Sequence, residues 1–146
     1  MKRGLKNSGF TLVEVLIVVV ILAILAAAII PQFADSTTDA KTSTALFNLN
    51  TMRAQIQLYK AQHNGSSPTT LTKLTVKTKA DQSESGGTLG PYLQYVPDNP
   101  LVDTSVANVV GAPNAVPPTA TTASVGWLYD ATTGNIYVNY TSLLAK

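Results

Sequence analysis

The sequence predicts an α+β fold: one long N-terminal helix, membrane-spanning in its first half and amphipathic in its second, packed on a small antiparallel β-sheet. Three observations predict it. Residues 15–30 are wholly aliphatic, and after them Ala45, Leu49, Met52, Ile56 and Tyr59 recur at steps of three and four, the spacing of one helical face. Near the other end, two short alternating segments, 126–130 and 135–140, flank Ala131-Thr132-Thr133-Gly134, which is a hairpin pattern.

The first element is the apolar one. A helix from Phe10 to Phe33 would be about 36 Å long at about 1.5 Å per residue, enough to cross a bilayer. Lys2, Arg3 and Lys6 precede it and favour a cytoplasmic N-terminus. A secretory signal cut near residue 28 is the simplest rival, but the run is long for a signal core and contains an acid. An ordinary single-span anchor explains the orientation and leaves that acid, Glu14, without a purpose. An acid in a membrane segment requires a partner, so Glu14 is a candidate functional residue. Were the chain cut between Gly9 and Phe10, a new amine would lie four residues before Glu14. The free N–H groups and positive dipole end of the first helical turn would then favour the carboxylate. In stacked subunits with a small axial offset, Glu14 of one chain could neutralise the amine of the next and set register.

Pro31 falls within the helical pattern, where it removes a backbone hydrogen bond and should bend or loosen the helix. The amphipathic half follows, with Lys41, Asn48, Gln55 and Gln62 on the face opposite the apolar stripe, a solvated surface or a contact with other subunits. Asn64-Gly65 and Pro68 end the helix, which is expected over residues 11–63. His63, the one histidine, lies beside this stop without a carboxylate or second histidine at ligand spacing, and is expected to cap the helix or be solvated.

A short helix is expected over 70–76. After it, Gly90-Pro91-Tyr92-Leu93 and Val96-Pro97-Asp98-Asn99-Pro100 form a rigid, turn-rich run with apolar anchors, suited to pinning a loop across the helix. Between Asp103 and Val125 the chain is rich in Ala, Val, Thr, Asn and Pro and carries no charge, and is expected to be a surface loop. In the hairpin, Trp127 and Tyr129 share one face, as do Ile136, Val138 and Tyr140. Packing them on the helical stripe gives the core; sugar binding by the aromatic row is the weaker use.

The segment Lys6-Asn-Ser-Gly-Phe-Thr-Leu-Val-Glu-Val resembles the class III signal of type IV pilins and type II secretion pseudopilins, with Gly9, Phe10, Thr11, Leu12, Glu14 and Pro31 at the family's positions. The resemblance implies a pilin-like fold, cleavage between Gly9 and Phe10 by a membrane prepilin peptidase, N-methylation of Phe10, and assembly into a homo-oligomeric filament in which Phe10, Glu14 and Pro31 take part. It implies a bacterial inner-membrane, single-pass location with the head in the periplasm or outside, an inner-membrane assembly platform and a separate ATPase as partners. The organisation expected is a leader over 1–9, a membrane and filament-core helix over 10–34, and a soluble head over 35–146, itself divided into helix 35–63, loops 64–125 and hairpin 126–140. The GPYL-like and P-x-x-P segments resemble G-type major pseudopilins. A type II secretion pseudopilus subunit supporting protein export is therefore the first reading. A type IV pilin for adhesion, motility or DNA uptake is the second, and a monomeric membrane-anchored binding module is the rival of another class.

The remaining chemistry is sparse. With ten Lys and Arg against eight Asp and Glu, loss of residues 1–9 would leave seven bases against eight acids, so no nucleic-acid partner is expected. There is no cysteine, hence no disulfide or thiolate metal site. No phosphate cradle, nucleophile elbow or acid pair is present, and enzyme activity is not expected. The G-type resemblance implies calcium held by acids of a C-terminal loop, but 104–125 contains none. Calcium takes six to eight oxygens. Asp98 and Asp103 are the only weak candidates, and no metal or other cofactor is expected.

Overall fold

A computed structural model describes residues 9–144, and all but the last residue of the expected leader 1–9 lies outside them. The chain divides into two compact units, Met1–Thr38 and Asp39–Lys146. One helix, α1 (Leu12–Gln62, 51 residues), supplies most of the first unit and enters the second. It runs through Pro31 as continuous helix. Every residue from 9 to 33 is exposed, including Phe10 at 89 % and Phe33 at 67 %. Apolar surface of this extent is stable only against lipid or other apolar helices.

The second unit builds its core on the predicted stripe. Ala45, Leu49, Met52, Ile56 and Tyr59 of α1 are buried against Trp127, Tyr129, Ile136 and Val138. The sheet has three strands in the order β1 (Val110–Gly111), β2 (Trp127–Asp130), β3 (Asn135–Val138). β2 and β3 are antiparallel, with Trp127 opposite Val138 and Tyr129 opposite Ile136. Alternation sends Leu128 and Tyr137 to the other face, where they pack with Leu144 and half-buried Val125. Asp130 builds the four-residue turn: its carboxylate accepts from the Thr132 N–H (2.9 Å) and the Thr133 hydroxyl (2.6 Å), while the Gly134 N–H donates to its carbonyl (2.7 Å). Gly134 has φ +78°, and a Cβ there would meet Ser67 Oγ at 2.6 Å.

Several expectations need correction. The sheet is mixed, because β1 lies parallel to β2 with Val110 opposite Trp127, inside the segment expected to be only loop. Val109-Val110 is a β-branched pair clear of the prolines, and the Val109 carbonyl takes both the Gly126 and Trp127 N–H groups (2.8 and 3.1 Å). Tyr140 is 37 % exposed rather than core, since β3 ends at Val138. Residues expected as a short helix form a 3-10 turn, Leu71–Thr75, with Leu71 and Leu74 buried. The face opposite the stripe is not simply solvated: Asn48 Nδ2 donates to the Asp98 carbonyl (2.9 Å), and the Tyr92 hydroxyl donates to Gln62 Oε1 (2.6 Å). Those two bonds pin the turn-rich run to α1. The Trp127 indole N–H adds a third anchor at the Pro97 carbonyl (2.7 Å).

His63 is fully buried, not solvated. Its ring stacks on Tyr59 with centroids 3.6 Å apart, Nδ1 lies 2.8 Å from the Tyr59 carbonyl, and Nε2 lies 2.8 Å from Thr78 Oγ1. A carbonyl only accepts, so Nδ1 carries a proton and caps the last turn of α1, as the sequence suggested. In the neutral ring, Nε2 accepts from the Thr78 hydroxyl.

Candidate functional site

The candidate site is the first turn of α1. Thr11 precedes the first helical residue, Leu12, and Glu14 is the third residue of the helix. Glu14 Oε2 accepts from both the Thr11 backbone N–H and the Thr11 hydroxyl, each at 2.7 Å, and Thr11 Oγ1 accepts from the Glu14 N–H at 3.3 Å. This is a reciprocal capping box, which satisfies donors that a helix terminus leaves open. Sequence reasoning treated Thr11 only as a motif match. The signal was there in Thr11-Leu-Val-Glu14, the spacing of such a box.

The box uses one carboxylate oxygen. Among the described residues Glu14 Oε1 has no hydrogen-bond partner, and Phe10 and Glu14 are both exposed. A carboxylate oxygen thus stays open beside an apolar helix of membrane-crossing length. The arrangement can bind a positive group brought by another chain, and lipid offers little competition for that contact. Pro31 lies nineteen positions after Leu12 in the same helix, apart from this turn.

The other candidates do not converge. Asp98 is exposed and contributes its backbone carbonyl to Asn48. Asp103 Oδ1 accepts from the Ser105 hydroxyl (2.6 Å) and N–H (2.8 Å), which hold its carboxyl below the usual range. Among the described residues no three His, Asp or Glu side chains gather to hold an ion. The donor set therefore does not fit the calcium that the resemblance implies. A cleft of about 960 Å³ in the head is bordered by Leu71, Tyr95, Val110, Val116 and Asp130. Its acid, Asp130, is held below the usual carboxylate range by the Thr133 hydroxyl and the Thr132 N–H. Among the described residues that border the cleft there is no Lys, Arg or His.

Comparison with known proteins gives a consistent picture. A model described as the prokaryotic N-terminal methylation motif matches residues 4–30. The type II secretion system core protein G of Pseudomonas aeruginosa is 34 % identical over 98 residues, spanning 65 % of this chain and 68 % of that protein. The core protein G of Aeromonas hydrophila is 32 % identical over 98 residues, with 65 % and 68 % covered. That of Vibrio cholerae is 32 % identical over 107 residues, with 68 % and 69 % covered. No solved structure matches the chain.

Proposed function

The chain belongs to the type II secretion system core protein G family, and from that premise we propose how its N-terminal residues make it a filament subunit. It is a structural subunit of a pseudopilus, anchored in the inner membrane by its apolar helix and assembled with the secretion machinery after prepilin peptidase processing. The core protein G relatives favour this reading over a type IV pilin or a monomeric binding module.

In the proposed mechanism the peptidase cuts between Gly9 and Phe10, and the Phe10 amine is methylated. The capping box holds Glu14 ready in the stored monomer: Thr11 neutralises part of its cost, and Oε1 waits for the amine of a neighbouring Phe10. Helices in lipid gain little from apolar contact alone, so packing and polar contacts decide their association. One ion pair on an otherwise uncharged segment fixes axial register, because a buried charge without its partner is strongly unfavourable. Pro31 supplies the place where the helix yields as subunits pack. The head lies in the periplasm or outside, and an assembly platform and a separate ATPase drive extension.

The observation that carries this reading is the capped, open carboxylate at the start of an exposed apolar helix. Its test is the intact mass of the protein recovered from its host's membranes. Loss of residues 1–9 with one methyl on Phe10 is expected. A full-length mass, or a cut near residue 28, would overturn the proposal.

A further inference from the structure

The segment from Asn99 to Gly126 is held by side-chain amides. Asn139, 4 % exposed, donates from Nδ2 to the Thr122 and Val125 carbonyls (2.7 and 2.6 Å) and accepts the Thr122 N–H at Oδ1 (2.9 Å). Asn99, fully buried, donates from Nδ2 to the Gly126 carbonyl (2.7 Å) and accepts the Leu101 N–H at Oδ1 (3.0 Å). The same Gly126 carbonyl accepts the Asn139 N–H at 3.2 Å. Nearer the surface, Asn114 accepts the Thr119 and Ala120 N–H groups (3.2 and 3.3 Å) and meets the Thr119 hydroxyl through Nδ2 (2.8 Å).

An amide nitrogen with two protons is the positive end of a dipole. At Asn139 it gathers two loop carbonyls, the job a cation does where a loop is closed by metal. The adjacent Oδ1 cannot be replaced by a cation, because it accepts an N–H. Asparagine alone among short side chains supplies two donated protons and a carbonyl acceptor at once, where a hydroxyl has one proton to give and a carboxylate none. All three amides are engaged at both nitrogen and oxygen, and the nearby acid Asp103 is engaged by Ser105.

We propose that Asn139, with Asn99 and Asn114, is a metal-free clasp that locks the long loop of the head, so that this subunit folds without the calcium implied by its G-type resemblance. The clasp lies wholly in the second unit and does not depend on how the filament assembles.

The test is thermal unfolding of the full-length chain in detergent micelles, with millimolar calcium chloride or with chelator. The wild type is expected to melt at the same temperature in both. Asn139→Ala and Asn139→Asp are each expected to lower the midpoint by roughly 5 °C, the shift of about one kcal/mol in a domain of this size. A calcium-dependent rise of that order in the wild type, or wild-type melting of both variants, would overturn the proposal. Should the Asn139 variants not fold, Asn114→Ala keeps the proposal testable by hydrogen exchange. Faster exchange at the Thr119 and Ala120 amides supports the clasp, and unchanged exchange there rejects it.

Discussion

Glu14 has one observed task, capping the first turn of α1, and one proposed, pairing with a neighbouring amine, and a substitution can separate them. Gln at this position still accepts hydrogen bonds from Thr11 and so keeps the capping box, but it cannot neutralise an amine. Glu14→Gln is therefore expected to leave helix content and membrane insertion unchanged while lowering incorporation into filaments by about tenfold or more, the equivalent of about 1.4 kcal/mol. Counting sheared filaments against the membrane pool measures this. Normal incorporation would reject the charge pair and leave Glu14 only its cap. The head's acids act differently. Asp81, Asp103 and Asp130 are each held below the usual carboxylate range, first by the hydroxyls of Ser83, Ser105 and Thr133 and then by backbone N–H groups. A depressed folded-state pKa gives stability that is present above the unfolded value, about 3.9 for Asp, and lost as pH falls through the folded value. The melting temperature is thus expected to be flat from neutral pH to about 5 and to fall below about 4. Asp130→Asn should flatten that fall, and an identical acid profile would show that the turn contributes nothing to it.

The helix and hairpin were legible because their signals are local. Leu49, Met52, Ile56 and Tyr59 mark one face by spacing alone, and Trp127 with Tyr129 mark one face of a strand. The parallel strand Val110–Gly111 was not legible, since its partner is reached only by a long return of the chain. The burial of His63 was hidden for the same reason: Thr78 meets its ring fifteen residues away. Gly126 joins these distant pieces. It donates to the Val109 carbonyl, accepts from Asn99 and Asn139, and a Cβ there would overlap the Ala107 carbonyl oxygen. Backbone, not a flexible side chain, blocks the extra atom, so relief requires moving β1 or the 99–107 segment. Gly126→Ala is expected to cost about 3 kcal/mol or more, against about 2–5 kcal/mol for the cavity of Leu49→Ala. Denaturant unfolding checks this, and a loss under about 1 kcal/mol at Gly126 would mean the junction yields easily.

The first turn of α1 shows how far a sequence goes when the candidate residues form a linear motif. Gly9, Phe10, Thr11 and Glu14 are contiguous enough to be read directly, whereas the clasp asparagines are scattered through a segment whose composition looks featureless. Motif and clasp lie in different units of the chain. All residues of the main core, from Ala45 to Leu143, lie in 39–146, while the exposed aliphatic run lies before Thr38. Apolar burial scales with the area removed from water, so the head retains its whole driving force for folding without the first unit. A chain beginning at Asp39 is therefore expected to be a soluble monomer with a cooperative transition within a few degrees of the detergent-solubilised full chain, and to form no filaments. Sedimentation and circular dichroism decide it. Aggregation, or a midpoint far lower than that of the full chain, would mean that residues before Asp39 stabilise the head, and the separation of anchor from head would fail.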